Sequence, residues 1–206
     1  MIVIMRAITW IKDRGAEFAV ADVGAAADVG GGLLCATGVA VGADPLPYRL
    51  DYELDCGDGY ITQWLSVRAR GAGWQRRLEL ARDPDGGWTV EASAEGDPGM
   101  LLPPPGGDPA TFRQALDCDL GLSPLTNTMP VLRHGLLTGG EPVDYVMAWV
   151  SVPDLAVLAS EQRYAFLRRE AAGLSVIRFE SGAFAADVVF DTDGLVVDYP
   201  GIGSRA

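Results

Sequence analysis

The sequence predicts an all-β protein, mainly antiparallel, with little helix. Three observations carry that expectation: apolar residues recur with period two over most of the chain, Asp-Gly turns separate the alternating runs, and helical spacing is scarce. The N-terminal "MIVIMRAITWIKDRG" opens on an apolar tetrad. It reads as a first strand, because it lacks the basic region and small-residue cleavage site of a secretory leader. "DVGAAADVGGG", Asp22 to Gly32, is a flexible connection. "YRLDYELDC" puts Tyr48, Leu50, Tyr52, Leu54 and Cys56 on one face and Arg49, Asp51, Glu53 and Asp55 on the other, the pattern of a half-buried antiparallel strand. "DPDGGW", Asp83 to Trp88, lies between "WQRRLELAR" and "WTVEASA"; Asp and Gly tolerate the positive φ that a tight hairpin demands.

"EGDPGMLLPPPGGDP", Glu95 to Pro109, is a breaker, since three successive prolines cannot donate to a ladder. It divides two β halves within a single domain spanning residues 1–206. "PATFRQAL", Pro109 to Leu116, reads as a short helix with Pro near its first turn. "SEQRYAFLRREAAG", Ser160 to Gly173, has helix formers and a Gly stop, but it also alternates and is read as strand. With "CGDG", "TGGEP", "ESG" and "DTDG", the turn signals recur at the spacing of about 8–12 residues typical of all-β domains, which implies roughly a dozen strands.

A chain of 206 residues with 49% hydrophobic composition can bury one substantial core. Its formal charge of -12 opposes nucleic acid or an anionic lipid surface as partner, because both attract proteins through Lys and Arg. No apolar run approaches the roughly 20 residues of a membrane-spanning helix, so a cytoplasmic location is expected. Cys35, Cys56 and Cys118 are far apart and form no CxxC pair. They fit buried thiols in a reducing compartment better than a disulfide or zinc site.

Chemical motifs are few. His134 is the only histidine, so any Ser-His-Asp or Cys-His machinery must use it and a multi-His metal site is excluded. Gly30, Gly31 and Gly32 lack the surroundings of a phosphate loop. Asp117 and Asp119 share a strand face and could form an acid pair or hold a hard cation, although solvated surface carboxylates are the default. The five tryptophans are expected in core or rim packing, with lipid contact as the sharper reading. In "DCDLGLSPLTNTMPVLRHG", the first residues form a strand that Gly121 and Pro124 break. Thr126, Asn127 and Thr128 then cap local backbone groups, and Met129 and Val131 resume the sheet.

A resemblance joins these stretches. "ITW", "YELDC", "DCDLGLSPLTNTMPVLRHGL", "AWVSVPDL", "EQRY", "FES" and "DGLVVDYPGIGSR" together resemble the bacterial Putative glycolipid-binding family, formerly a domain of unknown function. The match runs over nearly the whole chain, and its most specific parts are the SPxTNT-[LM]-P segment and the closing D-Y-P-G. The resemblance implies a spiral β-roll, a curled half-barrel-like sheet. It also implies binding of a glycolipid or other acyl-chain amphiphile in an apolar groove, by a non-enzymatic carrier or sensor that needs no cofactor. The expected ligand-binding residues are Thr126, Asn127, Thr128 and Arg133 at the mouth of the roll, with Tyr52 and Trp64. The chain departs from the family where Tyr60 precedes Thr62-Gln63, a site at which Trp followed by Thr-Arg is common. Two other classes stand beside this reading: a hydrolase-type enzyme using Asp119 and His134, and a ligand-free protein–protein interaction module.

Overall fold

The computed structural model describes residues 2–25 and 33–206. The Gly30-Gly31-Gly32 run and the rest of the expected connection from Ala26 onward lie outside the described residues, while Asp22 to Ala25 belong to a strand. Seven strands form an antiparallel meander: β1 (Ile2–Lys12), β2 (Gly15–Ala25), β3 (Leu33–Gly42), β4 (Tyr48–Cys56), β5 (Thr62–Gly71), β6 (Trp74–Arg82) and β7 (Trp88–Gly96). Beyond the proline-rich breaker come β8 (Cys118–Leu120), β9 (Val143–Val150), β10 (Val157–Arg169), β11 (Ser175–Ser181), β12 (Phe184–Phe190), β13 (Val196–Tyr199) and β14 (Gly203–Arg205). The two series form one 14-stranded sheet, because β14 pairs with β1 through Trp10↔Arg205 and Ile11↔Ser204. That seam is short, and long-range contacts reinforce it. Trp10 Nε1 donates to Val196 O at 2.9 Å, and the Arg205 guanidinium meets Asp191 at 2.7 Å.

The alternation in Tyr48–Cys56 holds residue by residue, with Leu50 and Leu54 buried and Arg49, Glu53 and Asp55 exposed. β10 confirms Ser160 to Arg169 as strand: the period-two side chains Gln162 and Tyr164 turn inward, and no helical stripe forms. The helix expected over Pro109 to Leu116 shrinks to a 3-10 turn, Pro109–Phe112, with the Asp108 carboxylate accepting from Ala110 N. A second expectation is corrected at Met129 and Val131. They lie in a short helix, α1 (Thr128–Arg133), entered through a 3-10 turn at Leu125–Asn127. The reason is tertiary: α1 sits between two apolar clusters, so Met129 packs into one and Val131 into the other.

The first cluster gathers Trp10, Leu34, Leu50, Leu65, Leu78 and Leu80 with Phe112 and Met129. The second gathers Tyr164, Ile177, Phe179, Val188, Phe190 and Tyr199. At its β8 end the sheet is covered on both sides: Cys118, Leu120, Ala148 and Val150 face the first cluster, while Met147 joins the second. The mainly antiparallel all-β architecture expected from the sequence, and the curled sheet that the resemblance implies, are therefore present, with one end wound between two cores. No helix among the described residues is long and apolar enough to cross a membrane.

Candidate functional site

The segment from Asp117 to Gly135 starts on the terminal strand β8 and packs between the two apolar clusters. Gly121 permits its entry, since a Cβ there would lie 2.8 Å from Val150 O and 3.3 Å from Trp149 Nε1. The following residues are tied down by side chains distant in sequence. Thr126 Oγ1 donates to Asp119 Oδ1 at 2.8 Å, and Gln162 Nε2 donates to Asp119 Oδ2 at 2.6 Å. The Tyr164 hydroxyl lies 3.0 Å from both Asn127 Oδ1 and Gln162 Oε1. Burial raises the pKa of Asp119, against the two hydrogen bonds that favour its charge.

Arg133, the last residue of α1, donates to Gly59 O at 2.7 Å and Tyr60 O at 2.9 Å, and pairs with Asp117. Burial pushes Asp117 above the ordinary carboxylate range even though Arg133 pulls it down. The default reading of Asp117 and Asp119 as solvated surface carboxylates is thus corrected. Asp117 is fully buried, Asp119 is half-buried, and each is held by its own partners, because the wound end of the sheet encloses them.

Beside this network runs a groove of about 500 Å³. Its apolar wall includes Leu122, Trp149, Leu158, Phe184, Tyr199 and Ile202. Leu122, Leu158 and Phe184 are 45%, 55% and 40% exposed, a concentration of uncovered apolar surface in one place. Its volume falls within the range of about 300–1,000 Å³ usual for small-molecule sites.

Of the six expected ligand-binding residues, Asn127 lines the groove. Thr126 and Thr128 are buried inside the segment, and Arg133 braces α1 against the turn at Gly59. Tyr52 lies on the inner face of β4, where its hydroxyl donates to Glu17 Oε1 at 2.7 Å. Trp64 sits half-buried in β5 across from Asp55, on the outer face. The structure therefore does not gather the six around one hollow. It brings Asn127 to Trp149, Leu158 and Phe184, which only the pairing of β8 to β12 could identify. A sequence signal existed at Leu158, whose neighbours in "LAVLAS" are apolar at both parities rather than alternating.

His134 lies in another depression, with Tyr145, their rings T-shaped at 5.4 Å between centroids. Burial, with Arg133 nearby, lowers its pKa. Asp119 lines the groove and is bonded to Thr126 and Gln162, so the two residues of the hydrolase reading are not joined as base and orienting acid. Cys56 and Cys118 are buried thiols as expected, whereas Cys35 is half-exposed and donates to Asp55; all three are free.

A family model described as "Putative glycolipid-binding" matches residues 8–205. The chain belongs to this family. Among solved structures, a DUF1089 family protein from Pseudomonas aeruginosa is similar, with a TM-score of 0.61 and 25% identity, covering 100% of this chain and 91% of that chain. No curated protein matches the sequence. In this member of the family, both of the most specific sequence stretches reach the groove: Ser123 and Asn127 from "SPLTNT", and Tyr199 from "DYPG". The departing Tyr60 is also accounted for locally, its hydroxyl donating to Gly24 O at 3.2 Å.

Proposed function

We propose that the groove binds a glycolipid or another amphiphile with an acyl chain, as a non-enzymatic carrier or sensor. The observation that carries this reading is the character of the groove wall. Leu122, Leu158 and Phe184 stand exposed on it, while several of its polar side chains already hold hydrogen bonds within the protein. Gln162 is bonded to Asp119, Ser160 to Ser181 at 3.1 Å, Ser123 to Glu17 at 2.6 Å, and Asn127 to Tyr164. A polar ligand competes with these bonds for the donors they use. An alkyl chain gains about 0.8 kcal/mol for each buried CH₂, which over a long tail exceeds the roughly 0.5–1.5 kcal/mol of one neutral hydrogen bond. The family's description agrees with a lipid-like ligand.

The test is uptake of octyl, dodecyl and hexadecyl glucosides by the folded protein, followed by native mass spectrometry below micellar concentrations. Retention should rise with chain length, and protein purified without added ligand should carry a substoichiometric lipid-like adduct. No uptake at any chain length would refute the reading and leave the interaction module ahead.

A further inference from the structure

The groove does not stop at Leu122. A second hollow of about 240 Å³ adjoins it, and Leu122 and Ile202 line both. The two hollows differ chemically. Among the described residues the first is lined by one charged side chain, Asp119, whereas the second has Lys12, Asp13, Arg14 and Asp44 beside Tyr48.

Leu122 sits at φ 62°, in the left-handed region that a leucine rarely adopts, and it is largely uncovered. Its backbone is gripped on either side. Gly121 N donates to Val150 O at 2.8 Å, Ser123 N donates to Leu120 O at 3.0 Å, and Ser123 Oγ donates to Glu17 Oε1 at 2.6 Å. Glu17 is buried and also takes a hydrogen bond from Lys12 Nζ at 2.6 Å. A chain of contacts from Lys12 through Glu17 to Ser123 therefore links the two hollows and holds an apolar side chain between them. Lys12 spends one of its three N–H donors on Glu17.

We propose that Leu122 and Ile202 form a collar around a bound amphiphile, with the chain in the first hollow and a neutral, hydroxyl-bearing head in the second. This inference rests on the reading of the groove as an amphiphile site. In the first hollow the side chains of Ser123, Asn127, Ser160 and Gln162 already hold hydrogen bonds within the protein, and charge on its wall is confined to Asp119. The second carries both signs of charge on its wall, Arg14 paired with Asp44 at 3.1 Å, Asp13 beside them, and Lys12 anchored from behind by the buried Glu17. An anionic head would meet Asp13 and Asp44 there, and a cationic head would meet Lys12 and Arg14. Hydroxyl groups donate to the acids and accept from the bases, so they suit this mixture without leaving a charge unpaired.

Binding of dodecyl glucoside and of dodecanol, which share a tail, tests the placement. In the unaltered protein the glucoside should bind about tenfold more tightly, the gain of a few neutral hydrogen bonds. Arg14→Ala combined with Asp44→Ala changes exposed side chains only and should erase most of that preference while leaving dodecanol binding unchanged. Leu122→Trp should fill the collar and weaken the glucoside by about tenfold or more, with the thermal midpoint little altered. A glucoside preference that survives both variants would overturn the collar, and so would its loss in Ser160→Ala, which would put the head in the first hollow. In either case the amphiphile reading would stand, since both probes still bind. Absence of binding by both probes to the unaltered protein would remove the collar and the amphiphile reading together.

Discussion

Replacing Arg133 by Met separates a bracing role from a head-binding role at a position where the sequence suggests the latter. The Arg133 side chain is 11% exposed and its partner Asp117 is 0% exposed. Its guanidinium is bonded to Asp117 and to two backbone carbonyls, those of Gly59 and Tyr60. Arg133→Met keeps much of the apolar stem but removes all three bonds and strands a buried carboxylate. Breaking a buried pair from one side costs about 3–5 kcal/mol, because the remaining charge is left without compensation. For a chain of this size that lowers Tm by about 6–20 °C, at roughly 2–4 °C per kcal/mol. Chemical unfolding followed by tryptophan fluorescence gives the difference, and adding Asp117→Asn should restore about 2 kcal/mol or more by deleting the orphaned charge. A loss below about 1 kcal/mol for Arg133→Met, or no recovery in the double variant, would refute the bracing argument.

Three further outcomes follow from the same geometry. Leu50→Asp places a charge in the first cluster and should destabilise by about 4 kcal/mol or more, whereas Asp51→Asn on the opposite face disturbs only exposed ion pairs with Arg49 and Arg70 and should stay within about 1 kcal/mol. Equal unfolding midpoints for the two would mean that the faces of β4 are misassigned. The Asp119 carboxyl is raised above its ordinary 3.8, so the folded protein binds that proton more tightly than the unfolded chain does, and stability falls as pH rises from 3.8 through the folded value. Asp119→Asn can still accept from Gln162 and donate to Thr126; unfolding measured across that window should show a shallower slope, the remainder coming from the similarly raised Asp117, and an unchanged slope would contradict the assignment. Asn127→Ala should weaken amphiphile binding by only about 0.5–1.5 kcal/mol and leave its chain-length dependence intact, which titration with the glucoside series would show; a flattened chain-length dependence would count against it.

Local pattern determined most of the sheet. Alternation along Tyr48–Cys56 and Ser160–Arg169 marks strands because a pleated strand buries every second side chain whatever it pairs with. "DPDGGW" and "DTDG" mark hairpins because their positive-φ glycines, Gly86 and Gly194, are needed by the turn itself. The family's characteristic stretches were legible for the same reason: they are contiguous. The sequence could not show that Thr128–Arg133 is helical. Two apolar residues spaced by two, Met129 and Val131, fit a strand facing one core as well as a helix wedged between two, and only the winding of the β8 end supplies the second core. The same winding decided the fate of the acids. Glu17, Asp117 and Asp119 look like ordinary surface charge in an acidic chain, and they are buried or half-buried because Lys12, Ser123, Arg133, Thr126 and Gln162 reach them, Ser123 from 106 positions away. The groove has the same origin: Leu122, Leu158 and Phe184 come from three separate segments, and a hollow between them exists only once the strands have paired and closed against β1, since no local pattern encodes which surfaces the curled sheet leaves uncovered.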